Sequence, residues 1–414
     1  MKRLIAATLA LAIASATAAT AAPASAKAPP DCPSSVHAPS AIVIEVSTDI
    51  VACARAPDRR RPIGSATKLM TALLTLERAK LTDVFTASGY RPAPVESKIG
   101  LQPGERMKVS DLLRGLLAES GNDAAAALAK GIAGSQRAFV RLMNRRARQL
   151  DLTDTHYENP IGLDGAGNYS SARDLVTLAT VLRTNRFFKK VVDSPQVTLK
   201  SGIHPRTFTN RNRLVVKYPW VNGVKTGHTA QAGYVLVGSA RRNGIQLISA
   251  VLDTPSEDAR DDDTLALFRF AFKRFERIRA VIKGKPLATV AIRFRPGARL
   301  KLLAARTVRR IVLRGHRAAV TLSVHVPDEV SGPIRSGQRL GRVEVRQGGQ
   351  VVATVPLIAA GAVPAADIAQ RTKAWAGRPW VLVGGLAAVV GTLLLARRRR
   401  VRSARRPPRE ASAA

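Results

Sequence analysis

The segment Pro62-Ile-Gly-Ser-Ala-Thr-Lys-Leu-Met-Thr-Ala-Leu-Leu74 joins a helix signal to a candidate nucleophile. Apolar residues recur at helical spacing from Thr67 to Ala79, which predicts a helix there. Ser65 and Lys68 stand one helical turn apart and would share one face of that helix. A serine hydroxyl becomes a good nucleophile when a neighbouring base takes its proton, and a lysine of lowered pKa can be that base. The pair alone is a weak signal, because S-x-x-K is common by chance.

Two further patterns follow in order along the chain. Ser120–Asn122 reads Ser-Gly-Asn within an Ala/Leu-rich helical stretch, and Lys225–Thr229 reads Lys-Thr-Gly-His-Thr before a predicted strand. Motifs of the kinds S-x-x-K, S-x-N and K-T-G occur together in class A β-lactamases and penicillin-binding proteins. Each pattern alone is weak, since Ser120 and Asn122 could merely cap a helix. Their order and spacing make coincidence improbable.

The chain resembles the serine-type D-alanyl-D-alanine carboxypeptidases, the low-molecular-mass penicillin-binding proteins of bacterial cell-wall metabolism. Besides the three motifs, the similarity includes Asn159-Pro-Ile-Gly-Leu163, Ser171-Ala-Arg-Asp174 and Thr209-Asn-Arg-Asn-Arg-Leu214, within a match over residues 40–275. The resemblance implies an α+β, penicillin-binding/β-lactamase-like transpeptidase fold, with helices flanking one sheet, followed by a small all-β domain. It also implies covalent binding of β-lactam antibiotics such as penicillin.

The resemblance assigns the chemical steps to three side chains. Ser65 would attack the carbonyl between the two terminal D-alanines of a peptidoglycan stem pentapeptide, and Lys68 would accept the hydroxyl proton. Ser120, with Lys225 near it, would pass a proton to the departing D-alanine. Water would then hydrolyse the acyl-enzyme, which leaves a trimmed stem peptide and limits cross-linking of the wall.

The same resemblance implies a set of substrate-binding residues. Backbone N–H groups of Ser65 and His228 would hold the oxyanion, and the Asn122 side chain would position the substrate amide. The two threonines of the third motif would meet the free carboxylate, supported by the guanidinium fork of Arg260. The complete predicted set is Asn122, Lys225, Thr226, Gly227, His228, Thr229 and Arg260.

The periodicity of apolar residues divides the chain into domains. Residues 37–280 contain both helix and strand patterns and form the predicted catalytic domain. Its predicted strands are Ala41–Val46, Ile50–Cys53, Tyr234–Ser239 and Gln246–Leu252, and its predicted helices are Thr67–Ala79, Ser110–Ala133, Phe139–Leu150 and Asp263–Arg279. The last two strands are joined by an Asn-Gly pair, a strong hairpin signal. Residues 284–362 alternate apolar and polar residues and predict a small β domain, with strands at Val290–Phe294, Ala319–Val326, Val343–Arg346 and Val351–Val355. Residues 363–379 would be a linker.

Both ends of the chain predict export to the cell surface. Residues 1–26 read as a secretory signal peptide, with a short basic start, an apolar run and small residues at Ala24-Ser-Ala26. Residues 380–396 carry no charge and predict a transmembrane helix, and the arginines of the tail 397–414 would stay in the cytoplasm. We therefore expect a single-pass protein of the cell membrane, with its catalytic domain outside and its C-terminus in the cytoplasm.

The 414 residues carry a formal net charge of +37, which would ordinarily suggest a nucleic-acid-binding protein. Only 4% of the residues are aromatic, and the predicted topology puts most of the charge outside the cell, so nucleic acid is not an expected partner. Residues 269–317 hold sixteen Lys or Arg and the single acid Glu276. We expect this basic β domain to contact anionic lipids or wall polymers, the alternative being a solvated face without a partner.

The two cysteines bear on compartment and on metal binding. Cys32 and Cys53 are a candidate disulfide in an exported chain, with two unpaired thiols as the alternative. Two cysteines are too few for a Cys-based zinc site, and the six histidines form no H-x-x-x-H or H-x-x-E-H pattern. We expect neither a metal nor a cofactor.

Two other functions stay open on the sequence alone. A β-lactamase of the same fold would need fast deacylation, often by a glutamate placed over the acyl ester, and Glu158 precedes Asn159-Pro160. A non-catalytic cell-envelope protein would bind anionic wall polymers and leave the serine site idle. An α/β-hydrolase is disfavoured, since the sequence holds no G-x-S-x-G elbow.

Overall fold

The computed structural model describes residues 30–376 and 379–403. The predicted signal peptide, residues 1–26, and the end of the basic tail, residues 404–414, lie outside the described residues. The elements that follow form one mixed α/β domain and one β domain, and both kinds of domain agree with the prediction.

The catalytic domain contains short strands, long strands and helices in alternation. Its strands are β1 Ser40–Glu45, β2 Ile50–Arg55, β3 Arg61–Pro62, β4 Val84–Thr86, β5 Arg106–Lys108, β6 Tyr169–Ser170, β7 Gln196–Leu199, β8 Arg206–Thr209, β9 Val221–Thr229, β10 Gly233–Arg242 and β11 Ile245–Thr254. Its helices are α1 Lys68–Arg78, α2 Val109–Arg114, α3 Asn122–Ala133, α4 Gln136–Gln149, α5 Ala172–Leu182, α6 Arg186–Val192, α7 Arg213–Lys217 and α8 Glu257–Arg274. A 3-10 turn, Gly64–Thr67, leads into α1, and a π-helical turn, Gly115–Glu119, follows α2.

The central sheet has the order β2-β1-β11-β10-β9, and every neighbouring pair is antiparallel. The predicted hairpin joins β10 to β11, where Asn243 and Gly244 have φ angles of 53° and 81°. Both angles lie in the left-handed region that a two-residue turn between twisted strands requires. The edge strand β9 carries the third motif and borders the 3-10 turn that carries the first.

The sheet is covered on both faces, which explains why all of β1 is buried. Successive side chains of a strand point to opposite faces. Ile42 accordingly belongs to the apolar cluster that contains helices α1 to α6, whereas its neighbour Val43 packs with Phe268 of α8 in a second cluster. The catalytic residues lie at the side of the first cluster.

The predicted helix Ser110–Ala133 is wrong as a single element. After α2 the chain widens into the π-helical turn, and Ser120 then adopts a left-handed conformation with φ 67°. Helix α3 begins afresh at Asn122. The Ala- and Leu-rich composition favours helix throughout, but the fold interrupts it at the second motif.

The predicted helix Asp263–Arg279 is displaced along the sequence. It begins at Glu257, because Ser256 caps it by accepting a hydrogen bond from Ala259 N at 3.1 Å. It ends at Arg274, after which strand β12, Phe275–Val281, pairs with strand β15, Val308–Leu313. The β domain therefore begins near residue 275, earlier than the predicted 284.

The β domain centres on a six-stranded sheet with an aliphatic core. Its remaining strands are β13 Pro286–Ile292, β14 Arg299–Ala304, β16 Val320–His325, β17 Glu329–Val330, β18 Arg339–Gln347 and β19 Gln350–Ala359. A short 3-10 turn spans Arg317–Ala319. The four strands predicted here are present, with bounds that differ by a few residues.

A disulfide joins Cys32 to Cys53, with the two Cα atoms 4.9 Å apart. Ala54 N donates to Pro30 O at 3.0 Å beside it, so the segment before β1 lies along β2. The pairing predicted from the sequence is therefore present.

Two helices follow the β domain, α9 Ile368–Ala376 and α10 Pro379–Ser403. The predicted linker, residues 363–379, thus contains a helix. In the part of the chain that the structure describes, no helix combines the length and the apolar character needed to cross a membrane. The predicted transmembrane helix at residues 380–396 is not supported by the structure.

Candidate active site

The first motif places a lysine amine beside a serine hydroxyl. Ser65 lies in the 3-10 turn and Lys68 begins α1, one turn further on, so both side chains share one face. Lys68 Nζ donates to Ser65 Oγ at 2.8 Å and to Ile161 O at 2.6 Å. The Lys68 side chain is fully buried, while Ser65 lines an open cleft.

The surroundings of Lys68 favour its neutral form. Burial lowers its pKa well below the usual value, and the positive charge of Lys225 lowers that pKa further. Glu96 and Asp123 act in the opposite direction on the same pKa. A lysine with a depressed pKa can accept a proton near neutral pH, which is the role that a serine nucleophile needs filled.

The second and third motifs meet across the cleft. Lys225 Nζ, from β9, donates to Ser120 Oγ at 2.9 Å and to Thr226 O at 2.8 Å. Burial, followed by the charge of Arg211, lowers the pKa of Lys225 to about 7. The site therefore holds two serine–lysine pairs, Ser65 with Lys68 and Ser120 with Lys225.

Close backbone packing between β9 and the 3-10 turn requires glycine in the third motif. A Cβ added to Gly227 would lie 2.5 Å from Ile63 O and 3.3 Å from Ser65 N. A Cβ added to Gly64 would likewise lie 3.0 Å from His228 N. The imidazole of His228 stacks on Tyr234, with ring centroids 4.1 Å apart, so its ring is engaged in packing.

The cleft has a volume of about 680 Å³ and collects the predicted site residues. Lys68 and Lys225 lie buried next to it and contact its two serines. The predicted residues that line it are Ser65, Ser120, Asn122, Thr226, Gly227, His228, Thr229 and Arg260.

Arg260 reaches the cleft from α8 and is 2% exposed. Its Nη2 donates to Asp261 Oδ1 at 2.7 Å and to Glu257 Oε1 at 2.9 Å, and its Nε donates to Asp261 Oδ1 at 2.9 Å. These two carboxylates hold the guanidinium in place and neutralise part of its charge.

The Thr229 hydroxyl lines the cleft and has hydrogen-bond partners within the protein. Its hydroxyl donates to Asp164 Oδ1 at 2.5 Å, and its Oγ1 accepts from Ala232 N at 3.0 Å. The hydroxyl proton is therefore committed to a carboxylate on the neighbouring loop. Within the described residues the Thr226 side chain has no such hydrogen bond, and it also lines the cleft.

Sequence reasoning missed several polar residues that line the cleft. Arg211 pairs with Glu119 at 2.6 Å, and Arg213 pairs with Asp258, also at 2.6 Å. Glu96 lines the cleft from the loop before Ile99. Both arginines lie in the segment Thr209–Leu214, whose similarity to the family could have pointed to them. No sequence motif marks Glu96.

Within residues 30–376 and 379–403, no group of three or more His, Cys, Asp or Glu is arranged to hold a metal ion. The titratable groups that contact the two serines are lysines.

Comparison with known proteins gives matches to both domains. The D-alanyl-D-alanine carboxypeptidase family matches residues 22–256, and the C-terminal domain of penicillin-binding protein 5 matches residues 275–365. D-alanyl-D-alanine carboxypeptidase DacF of Bacillus subtilis is 32% identical over 78% of this chain and 85% of its own length. DacA of Escherichia coli K12 is 32% identical over 88% of this chain and 93% of its own length.

The solved structures that resemble this chain include penicillin-binding protein 5 of Haemophilus influenzae. That structure has a TM-score of 0.58 and 29% identity, over 80% of this chain and 99% of the other. The Streptomyces K15 DD-transpeptidase matches with a TM-score of 0.56 and 32% identity, over 58% of this chain and 98% of the other. Since the family match spans more than half of the chain and includes all three motifs, this protein belongs to the D-alanyl-D-alanine carboxypeptidase family.

Proposed function

We propose that this protein removes the C-terminal D-alanine from peptidoglycan stem pentapeptides through an acyl-enzyme on Ser65, and that it binds penicillin covalently at the same serine. The observation that carries the proposal is the contact of the buried Lys68 amine with the Ser65 hydroxyl at the floor of an open cleft. Membership of the family supports the same activity.

Acylation begins when Ser65 Oγ attacks the carbonyl carbon between the two D-alanines and Lys68 accepts the hydroxyl proton. The oxyanion that forms is held by the backbone N–H groups of Ser65 and His228, which the close packing at Gly227 brings near each other. The tetrahedral intermediate then collapses, and the bond to the terminal D-alanine breaks.

The departing amine needs a proton, and Ser120 is the group that supplies it. Lys225, with a pKa of about 7, can restore that proton to the Ser120 hydroxyl through their contact of 2.9 Å. A water molecule then attacks the ester on Ser65, releases the shortened stem peptide and regenerates the hydroxyl.

Recognition of the substrate carboxylate falls to Thr226 and Arg260. Both line the cleft, and a guanidinium suits a carboxylate geometrically. Asn122, which also lines the cleft, meets an amide of the stem peptide. Thr229 contributes through Asp164, which fixes the end of β9.

Labelling with fluorescent penicillin tests the proposal directly. Wild type should become labelled and should release D-alanine from diacetyl-Lys-D-Ala-D-Ala, and Ser65→Ala should do neither. A wild-type protein that fails both assays would leave the non-catalytic cell-envelope function in its place. Rapid penicillin hydrolysis without D-alanine release would instead identify a β-lactamase.

The position of Glu158 argues against the β-lactamase. This glutamate does not line the cleft, and its carboxylate lies against the backbone of Gly165 and Gly167. Of the two glutamates that line the cleft, Glu96 is the one whose charge acts on Lys68, and it is already hydrogen bonded to Tyr90 and Asn122. Fast deacylation by an activated glutamate therefore has no evident group to perform it.

We also propose that the catalytic domain works outside the cytoplasm, anchored at the cell membrane, with the C-terminus inside. The disulfide fits an oxidising compartment, and the substrate class is a cell-wall polymer. The anchor rests on sequence alone, through the uncharged run at residues 380–396 and the arginines after it. Alkaline carbonate extraction of membranes tests it, because an anchored full-length chain stays in the pellet and a peripheral one is released.

The basic surface of the β domain supports a contact with anionic lipids or wall polymers. Glu276 is the only acid between residues 269 and 317, and it is paired with Arg317 at 2.9 Å, so most cations of this segment have no acidic partner within it. Co-sedimentation of a chain ending before Pro379 with anionic and with zwitterionic vesicles tests the contact. We expect binding to anionic vesicles that weakens as salt rises, and equal sedimentation with both would contradict it.

A further inference from the structure

A carboxylate without a role in the steps above lies in the wall of the cleft. Glu96 Oε2 accepts hydrogen bonds from Tyr90 OH at 2.5 Å and from Asn122 Nδ2 at 2.6 Å. Glu96 Oε1 accepts from Ala93 N at 3.1 Å. The carboxylate is therefore held by its own loop and in turn holds the side chain of a motif residue.

The contact decides which way the Asn122 carboxamide faces. One end of a carboxamide only donates and the other only accepts. If the amide were rotated by half a turn, Asn122 Oδ1 would stand where Nδ2 now lies, against a second acceptor on Glu96. Asn122 is 5% exposed, and its Oδ1 has no hydrogen-bond partner within the described residues, so no other group on this wall specifies the orientation.

The carboxylate is ionised when it holds Asn122. Burial alone would raise the pKa of Glu96, but the hydrogen bonds from Tyr90 and Asn122 outweigh it and lower that pKa. An ionised carboxylate is purely an acceptor, and hydrogen bonds to it are stronger than those between neutral groups.

We propose that Glu96 is a positioning residue, which fixes the carboxamide of Asn122 in the orientation that meets the substrate amide. Tyr90 in turn fixes Glu96, because its hydroxyl donates to the same Oε2. The inference rests on the proposed function and adds to it a carboxylate outside the three motifs. It also predicts an electrostatic effect on the catalytic base.

Charged groups on several elements face Lys68. Lys225 and Arg211 lower its pKa, and Glu96 and Asp123 raise it against the dominant effect of burial. Removing the charge of Glu96 should therefore lower the pKa of Lys68 further. Since Lys68 must be neutral to accept the Ser65 proton, the acid limb of the acylation rate should move to lower pH.

A double-mutant cycle tests the positioning role. Glu96→Ala should lower kcat/KM for D-alanine release about 10-fold, the effect of one misdirected hydrogen bond to substrate. Asn122→Ala should lower it further. At a pH above the acid limb, where the charge effect on Lys68 no longer limits the rate, the double variant should match Asn122→Ala alone, because there Glu96 acts only through Asn122. Two independent losses that multiply in the double variant would overturn the proposal.

The conservative variant separates orientation from charge. In Glu96→Gln the amide oxygen can still accept from Tyr90 and Asn122, so most of the activity should return while the acid limb still moves to lower pH. Loss in Glu96→Gln as large as in Glu96→Ala, or an unmoved acid limb, would contradict this.

Glu77→Gln is the matched control, since Glu77 lies near the end of α1 opposite to Lys68, pairs with Arg146 at 2.8 Å, and neither residue lines the cleft. It should leave kcat/KM and the pH profile unchanged, and thermal unfolding of each variant checks the fold. An active wild type with an unaffected Glu96→Ala would overturn the inference alone. A wild type that neither binds penicillin nor releases D-alanine would overturn the proposed function as well.

Discussion

The catalytic domain and the β domain use the same basic residues in opposite ways. In the catalytic domain, Lys68, Lys225 and Arg260 are among the largest fully buried side chains. Within the described residues, every buried polar or charged side chain lies between Ser40 and Thr264. The core of the β domain is aliphatic, and its arginines and lysines lie at the surface or close to it.

The difference shows what burial does to a cation. A lysine taken out of water loses the hydration that stabilises its charge, so its pKa falls and it can act as a base. A surface lysine stays charged, and its interactions are weak and screened by salt. The same residue type therefore serves chemistry in one domain and long-range attraction in the other.

Replacing a buried lysine should have the largest effect. Lys68→Ala removes the only amine in contact with Ser65 within the described residues, so we expect the rate of penicillin acylation to fall by about 10³-fold or more. Lys283→Ala, at an exposed position of the β domain, is the matched control and should acylate as wild type does. Stopped-flow or gel-based labelling gives both rates, and a Lys68→Ala rate within 10-fold of wild type would exclude Lys68 as the base.

Lys225 should make stability depend on pH. Its pKa of about 7 in the folded protein lies below the ~10.4 of an unfolded lysine. Between these values the unfolded chain holds a proton that the folded protein lacks, so the free energy of unfolding should rise with pH. We expect the rise between pH 7 and pH 10 to be steeper in wild type than in Lys225→Met, by about 1 kcal/mol per pH unit.

Urea unfolding at several pH values measures that slope. Lys283→Met, which changes a solvated lysine, should keep the wild-type slope. Equal slopes in wild type and Lys225→Met would mean that Lys225 keeps an ordinary pKa despite its burial.

Much of this site could be predicted from the sequence because its motifs are local. Ser65 and Lys68 share a helix face whatever surrounds them, and the Asn243-Gly244 turn fixes its hairpin through backbone conformation alone. The order of the motifs then identified the family and, through it, the fold. Local sequence patterns and the family resemblance thus account for the predictions that the structure confirms.

The rest depends on tertiary structure that local patterns do not contain. Glu96 and Asp164 lie on loops without periodicity, and only the folded chain brings them to Asn122 and Thr229. The interruption at Ser120 opposes the helix propensity of its neighbours, and packing against β9 stabilises it. These residues orient the motif residues through contacts made in the folded chain. No sequence motif of their own identifies them.

Replacing Arg260 also compares a buried cation with a surface cation, and the expected effect is smaller than for Lys68. Arg260→Ala removes the buried guanidinium from the cleft, and we expect kcat/KM for D-alanine release to fall about 30-fold, or about 2 kcal/mol. The fold should persist, because Asp261 still accepts from Arg213 Nε at 3.0 Å. Arg260→Lys should recover activity only in part, since an ammonium lacks the planar fork.

Arg279→Ala, at an exposed position of β12, is the control for Arg260 and should keep wild-type kcat/KM. The two variants lose the same charge and differ in burial and place. Equal activity of Arg260→Ala and Arg279→Ala would show that the buried arginine serves only the packing of α8.

The smallest effect is expected from a carboxylate that belongs to the catalytic domain but faces away from its cleft. The Glu158 carboxylate lies against Gly165 and Gly167, so Glu158→Gln should change the hydrolysis rate of the penicilloyl-enzyme by less than about 2-fold. A general base for deacylation would contribute about 10²- to 10⁴-fold, a loss that a pre-loaded fluorescent adduct would show at once. A loss of that size would move Glu158 into the machinery and favour the β-lactamase. An unchanged rate would show that Glu158 takes no part in deacylation, in agreement with a cleft whose ionisable contacts to the two serines are lysines.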